Sequence, residues 1–331
     1  MSHDFRKILI CGLGSIGRRH LRIIKHNWPD VKIAVLRSGY GPGCEETKLI
    51  NQNFSNINDS IDWEPDAAII SSPASKHIDQ AIALAEFGIP CLIEKPIGAG
   101  PEIFDSREKL ISLSSKIPLL VGYILRHDPC ANLIKKKLDE NILGKIVEAD
   151  FHCGSWLPNW RPGINYLETV SALKELGGGV LLELSHEIDI ANWLLGPIKI
   201  NYSNLKSSGL LPINVEDRAY LHAENKDDVQ ISIRINFCSE PSTRKIKIRG
   251  EKGEISWDIV LGKLEISNVH KIIFEHKNNI DRDSLFLIQM KHFLDCIFKN
   301  QKPKCSVSEG LYVLDLIQKA KTLYKLNPRD L

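Results

Sequence analysis

Two groups of polar residues interrupt apolar surroundings in this 331-residue chain. In the run Val180–Leu195, Glu183, His186 and Asp189 recur every third residue. On a helix that spacing sets them along one narrow stripe of an otherwise apolar surface. His186 in such a place is a candidate proton acceptor, oriented and tuned by a neighbouring carboxylate. The same stripe equally suits a hydrogen-bonded core histidine with a salt-bridged partner. Far upstream, Lys95 follows Cys91-Leu92-Ile93-Glu94 and precedes Pro96. An ammonium there can hydrogen-bond a hydroxyl and stabilise a developing alkoxide. The alternative is a strand-end lysine paired with Glu94. One imidazole and two carboxylates on a single helix lack a further ligand set, so no metal is expected.

A third motif, Gly12-Leu13-Gly14-Ser15-Ile16-Gly17, lies between the apolar run Lys7–Cys11 and a helical pattern. This is the context of a dinucleotide turn. Gly12 and Gly14 permit the tight turn and close approach of a pyrophosphate to the helix N-terminus, Ser15 and Ile16 fall on the cofactor side, and Gly17 lets helix and strand pack. A glycine-rich connector is the plain alternative. At the end of the second apolar run, NAD binding would call for an acid, but Leu36 is followed by Arg37-Ser38. A guanidinium and a hydroxyl suit a 2′-phosphate, so NADP(H) is expected, with NAD(H) the alternative.

These groups need strands to carry them. Lys7–Cys11, Lys32–Leu36, Ala67–Ser71, Cys91–Glu94 and Leu119–Tyr123 read as strands buried on both faces. Helical patterns fill the gaps at Arg18–His26, Ser75–Phe87 with Ser75 as cap, and Ile103–Ser114. Ligands of such sheets bind beyond the carboxyl ends of the strands. Those ends carry Ser71-Ser72-Pro73, Glu94-Lys95-Pro96, and Gly122-Tyr123 with Arg126 just beyond.

After Tyr123 the character changes. A helix at Ala131–Glu140 and a strand at Ile146–Cys153 precede an aromatic loop, Trp156–Tyr166. Trp156 and Trp160 offer faces for a sugar ring, or core packing, and Arg161 suits a carboxylate or phosphate. The helix Val180–Leu195, opened by Gly177-Gly178-Gly179, leads into strand patterns at Arg218–Ala223, Val229–Phe237, Arg244–Arg249, Glu254–Asp258, Lys263–Ile266 and Lys271–His276. Their alternation predicts an antiparallel sheet. Helices at Leu285–Lys299 and Val307–Tyr324 follow.

Composition narrows the partners. Lys and Arg total 43 against 41 Asp and Glu, and no basic face is concentrated enough for nucleic acid. Lys135-Lys136-Lys137 reads as a solvated helix face. No apolar run approaches a membrane span, and Met1–Arg6 does not fit a signal peptide. The eight cysteines are scattered and expected to be reduced, which points to the cytoplasm.

Together, the glycine turn, Ser72-Pro73, His77, Glu94-Lys95-Pro96, Gly122-Tyr123 and the helix with His186-Glu187-Ile188-Asp189 resemble the Gfo/Idh/MocA family of oxidoreductases. The resemblance implies an α/β protein with a Rossmann domain over 1–123. A substrate and oligomerisation domain over 124–331, with a large, mostly antiparallel open sheet, would follow. It implies an NAD(P)-dependent enzyme acting on a sugar or polyol, and a homodimer or homotetramer formed through that sheet. By position, Lys95 matches the catalytic lysine, Pro96 its partner with a cis peptide bond as candidate linkage, and His186 the acid/base residue. Ser71, Ser72, Pro73, His77 and Glu94 fall on the cofactor side. Tyr123, Arg126, Trp156, Trp160, Arg161, Tyr166, Glu183 and Asp189 would shape the substrate pocket. One departure is Leu182, where many members carry an aspartate four residues before the histidine; Glu183 is the nearest substitute. The stretch Gly177–Asp189 with Asn159–Pro162 resembles a subgroup of bacterial surface-sugar metabolism. The rival readings are a non-enzymatic NAD(P)-binding regulator of the same fold and a cofactor-retaining aldose–aldose oxidoreductase.

Overall fold

The computed structural model describes residues 5–39, 45–100, 103–268, 270–278 and 280–325. Cys44, expected as a reduced thiol, and Met1–Asp4 of the expected amino-terminal segment lie outside them. The chain divides into two compact units, Met1–Ile124 with Asp281–Leu311, and Leu125–Ile280 with Tyr312–Leu331.

Unit 1 is built on a parallel sheet. Its described strands are β1 (Lys7–Cys11), β2 (Lys32–Leu36), β3 (Gln52–Phe54), β4 (Ala67–Ile70), β5 (Cys91–Ile93) and β6 (Leu119–Val121), in the order β3-β2-β1-β4-β5-β6. The helices between them are α1 (Ser15–Asn27), α2 (Ile57–Asp62), α3 (His77–Glu86) and α4 (Ile103–Ser114). Strand order reverses beside β1, which opens a crevice at the carboxyl ends of β1 and β4. The edge strand β3 has no apolar run to announce it, because an edge is buried on fewer sides. The helix expected from Ser75 begins instead at His77, after a turn over Ala74–Lys76. Pro73, at φ −56°, already starts that turn, so Ser75 is inside it and caps nothing.

In unit 2, α5 (Pro129–Asp139) is capped by the Asp128 carboxylate, which accepts from Cys130 N at 2.7 Å. β7 (Ile146–Gly154) leads through short turns to α6 (Val180–Glu183) and α7 (His186–Leu195). Then come β8 (Ile198–Lys206), β9 (Arg218–Asn225), β10 (Gln230–Asn236), β11 (Thr243–Gly250), β12 (Gly253–Asp258), β13 (Lys263–Ser267) and β14 (Ile272–Lys277). They form a sheet ordered β14-β13-β12-β11-β7-β10-β9-β8, antiparallel except for β7 with β10. Period-2 alternation buries Ala149, Phe151, Ile231, Ile233, Ile246 and Ile248 on one face, where α7 packs. The opposite face carries Asp150, His152, Arg234, Lys245 and Lys247.

Two expectations are corrected here. The strand β8 was not anticipated: its register shifts between Ile200 and Tyr202, and that bulge breaks the alternation a strand is read from. The single helix expected over Val180–Leu195 is interrupted at Leu184, at φ −103° and ψ 26°. Glu183 therefore closes one short helix, while His186 opens the next.

The domain boundary is also corrected. A break near residue 124 is present, but α8 (Arg282–Phe298) returns to unit 1, and the following α9 (Val307–Lys325) begins there. Met290, Phe293 and Leu294 of α8 join Ile8, Ile10, Leu21, Ile24, Ile33, Val35 and Ile69 in one buried cluster. Three large apolar side chains at 2% exposure or less contribute several kcal/mol of burial, on the order of 1.5–3 kcal/mol each.

Candidate active site

The glycine turn of unit 1 is shaped by what it cannot accommodate. Gly12 sits at φ +91°, and a Cβ there would come within 2.7 Å of the Ser72 main chain. A Cβ on Gly17 would fall on the carbonyl oxygen of Gly12. Ser71 Oγ donates to that same oxygen at 3.0 Å, so β4 fixes the turn. Gly14 differs: a Cβ there meets nothing within 4 Å. Gly14 is the N-cap of α1, with no side-chain cap and no acid in the first turn, and Ser15 beside it is exposed. Helix amides that face open space with no carboxylate of their own fit a dinucleotide pyrophosphate. Ile16 is partly buried behind them.

Arg37 directly follows β2, held by its N–H donating to Phe54 O at 3.0 Å. Its side chain is half-buried and Ser38 is exposed. Ser72 Oγ donates to Gln80 Oε1 at 2.7 Å, a support that sequence reading did not single out. Pro73 beside it is partly buried.

Three residues of unit 1 expected to meet a ligand are enclosed by the fold instead. The His77 ring is 2% exposed, with Nδ1 2.8 Å from Pro96 O and Nε2 2.8 Å from Ser72 O. Burial pushes its pKa down, against the pull of those two carbonyls. The Glu94 carboxylate is buried against His20, with Oε1 2.7 Å from Nε2. Tyr123 is 1% exposed. His77 and Glu94 thus hold main chain and helix in place rather than presenting their side chains. Lys95, between them in the fold, stays partly exposed, and the Lys95–Pro96 peptide is cis.

In unit 2 the candidate proton acceptor is carried by the broken helix. Gly179 enters α6 at φ +106°, where a Cβ would strike the Glu216 carboxylate. Glu216 receives Val180 N on its main-chain oxygen at 3.0 Å and Leu181 N on Oε1 at 3.3 Å. Burial pushes the Glu216 carboxyl above the usual glutamate range. His186 is the first residue of α7, and it and Glu183 are both partly exposed.

Their neighbours are locked. Glu187 is fully buried and its Oε1 accepts from Arg244 Nε at 2.8 Å. Burial works against the Arg244 charge, but Glu187 beside it holds the guanidinium above its usual pKa. Asp189 is bound to Arg126 through Nη2 at 2.7 Å, and Arg126 lies 5.9 Å from the Trp193 ring. Arg126 and Asp189, expected as separate pocket residues, are a buried pair with each other, because neither charge is tolerable in that interior alone. Glu187 was missed; its signal was an acid inside an apolar helix, off the His186 stripe.

The aromatic loop is ordered. Trp160 Nε1 donates to Ser155 Oγ at 2.7 Å, and its ring meets Phe237 edge-on at 5.1 Å. Trp156 and Tyr166 are partly exposed, and Arg161 Nη1 is 3.5 Å from Ser171 Oγ. Trp160 therefore combines core packing with a remaining exposed edge. Among the described residues no three His, Cys, Asp or Glu side chains gather as a metal site, and no helix is long and apolar enough to cross a membrane.

Fold and site define a Rossmann-type nucleotide-binding protein with an appended α/β unit. Residues 6–117 match the model of an oxidoreductase family, NAD-binding Rossmann fold, and residues 135–322 match that family's C-terminal alpha/beta domain. The chain belongs to the Gfo/Idh/MocA oxidoreductase family.

Inositol 2-dehydrogenase 2 of Saccharopolyspora erythraea is 27% identical over 237 residues, 68% of this chain and 65% of that protein. The scyllo-inositol 2-dehydrogenase (NAD(+)) of Bacillus subtilis is 26% identical over 201 residues, 59% of this chain and 55% of that one. The chain thus spans somewhat less than two thirds of these curated relatives. Among solved structures, levoglucosan dehydrogenase in complex with NADH and levoglucosan superposes with a TM-score of 0.84 at 16% identity, covering 98% of both chains. The WlbA dehydrogenase of Bordetella pertussis, in complex with NADH and UDP-GlcNAcA, gives 0.77 at 18% identity over 97% of both. At these identities the superpositions establish the shared fold.

Proposed function

We propose that the protein is an NADP(H)-dependent oxidoreductase that moves hydride between nicotinamide and a hydroxyl or carbonyl carbon of a sugar or sugar derivative. The observation that carries it is the open, uncapped start of α1 at Gly14, with Arg37 and no acid directly after β2. Gly12, Gly14, Ser15, Ile16 and Gly17 would hold the pyrophosphate. Arg37 and Ser38 would hold a 2′-phosphate, and Ser71, Ser72 and Pro73 would line the same crevice. NAD(H) is the alternative cofactor, and two of the structural neighbours carry NADH.

Bound cofactor supplies or accepts the hydride. Lys95 hydrogen-bonds the substrate oxygen through its ammonium and stabilises the negative charge that grows there on oxidation. His186 takes the hydroxyl proton, or the two exchange roles. Glu183 stands in for the family aspartate near the histidine. Trp156, Trp160, Arg161 and Tyr166 contribute to the sugar pocket, and the Arg126–Asp189 pair holds the helix that begins at His186. The names of the inositol dehydrogenases support a polyol or sugar substrate, and the stretch Gly177–Asp189 supports a place in bacterial surface-sugar metabolism. The polar face of the large sheet supports assembly into a homodimer or homotetramer, and the free thiols among the described residues support a cytoplasmic setting.

The test is a side-by-side binding titration with NADPH and NADH, using Arg37→Ala as control. A preference for NADPH that collapses in the variant is expected, followed by turnover on a panel of sugars and polyols. Binding of neither dinucleotide would refute the enzyme reading, and an NADH preference untouched by the variant would refute the role of Arg37.

A further inference from the structure

The buried residues of α1 are Gly17, His20, Leu21, Ile23 and Ile24, and one of them is an imidazole. His20 has 1% side-chain exposure, and its Nε2 is 2.7 Å from Glu94 Oε1, itself 8% exposed. The ring is fixed from another side by Phe286, edge-on at 5.2 Å. Glu94 has just left β5, and room for its carboxylate exists because residue 122 is glycine: a Cβ there would come within 3.2 Å of Glu94 Oε2. On the far side of Lys95, the Pro96 carbonyl is held by His77. The residues flanking Lys95 are therefore each gripped by a buried histidine, one on α1 and one on α3.

A buried polar pair is an unfavourable way to fill an interior: apolar residues of similar volume often stabilise as much or more. What the pair does supply is direction. A hydrogen bond from helix to strand end fixes the angle at which the next residue leaves the sheet, and the next residue is Lys95. Its helix is also the one whose first turn would receive the dinucleotide.

We propose that His20 is a positioning residue for Lys95, acting through Glu94, so that α1 sets both the cofactor's pyrophosphate and the lysine ammonium in one frame. This rests on the reading of Lys95 as the group that meets the substrate oxygen. His20 and Glu94 touch no substrate; they hold the turn that carries one.

The experiment compares His20→Ala, His20→Gln, Glu94→Ala and the double alanine variant by steady-state kinetics, NADPH binding and thermal melting. His20→Ala is expected to lower kcat about 100-fold while NADPH Kd changes by no more than about twofold, as misplacement of a reacting group does. His20→Gln, whose amide keeps a donor near the Nε2 position, is expected to recover much of the loss. The double variant should be no worse than either single one, since both remove the same bond. Parallel losses of kcat, NADPH affinity and Tm in every variant, His20→Gln included, would mean that the pair only supports the fold and would overturn the proposal.

A second readout needs no turnover. Lysines are reductively 13C-dimethylated and the Lys95 resonance is assigned by its loss in Lys95→Arg. A shifted resonance in His20→Ala that returns in His20→Gln supports the proposal, and an unmoved one overturns it. An inactive wild-type protein with that pattern would sink the enzyme reading alone.

Discussion

Arg126 and Asp189 are joined by nitrogen–oxygen contacts of 2.7, 3.1 and 3.2 Å inside unit 2, where neither side chain is more than 1% exposed. The pair ties the segment after Ile124 to the first turns of α7, the helix that begins at His186. A guanidinium fork on one carboxylate is directional as well as strong, so it fixes helix rotation.

Breaking that pair from one side should remove the ion-pair counterpart of a charge that stays buried. Arg126→Met or Asp189→Leu alone is expected to destabilise the fold by about 3–5 kcal/mol, and the two together to recover most of the loss. Thermal melts of the three variants check this. A double variant as unstable as the worse single one would mean that the surrounding packing requires the charges.

The glycines of the dinucleotide turn should separate by function. Gly17→Ala places its methyl on the Gly12 carbonyl and is expected to lose about 1–3 kcal/mol of stability together with NADPH binding. Gly14→Ala meets no protein atom within 4 Å. It should melt like the wild type yet bind dinucleotide more weakly, because its methyl occupies the space left for phosphate. Melting curves and titrations on the same samples decide it.

Replacement of Lys95 by alanine should reduce turnover about 100- to 1000-fold, the scale of losing one group aimed at developing charge, with dinucleotide affinity nearly intact. Unchanged turnover would remove Lys95 from the mechanism.

Glu216 gives a pH signature. Burial raises its carboxyl above the usual glutamate range, so the folded protein holds that proton more tightly than the unfolded chain does. The stabilisation is complete below the unfolded pKa and is lost as pH rises through the folded one. Glu216→Gln cannot ionise. Its stability relative to wild type is therefore expected to rise with pH across that window, as measured by urea melts at several pH values. A difference that stays flat with pH would contradict the assignment.

Sequence order made the core of unit 1 legible, since β1, β2 and the glycine turn are adjacent in the chain and their burial is nearly complete on both faces. Lys95 and His186 were equally visible as polar residues set in apolar runs. What stayed hidden depends on contacts between distant segments. That Asp189 would be taken up by Arg126, Glu187 by Arg244, and Glu94 by His20 is decided by which residues the fold brings opposite each other. Spacing along one helix does not contain that information. The break at Leu184 was invisible for a related reason: Val180–Leu195 has good helical periodicity, and its interruption accompanies the docking of Glu216 on the α6 amides. His20 did leave a trace, as the one imidazole among the buried residues of α1.

The return of Asp281–Leu311 to unit 1 bears on how the molecule is made. The dinucleotide turn is translated early in unit 1, yet Met290, Phe293 and Leu294, which complete the core beneath it, emerge only after Leu125–Ile280 of unit 2 has been made. The first unit to be begun is thus left open until most of the second has been translated. A nascent chain halted after Ile124 would display an unsealed apolar sheet, exposed to aggregation until α8 has been made.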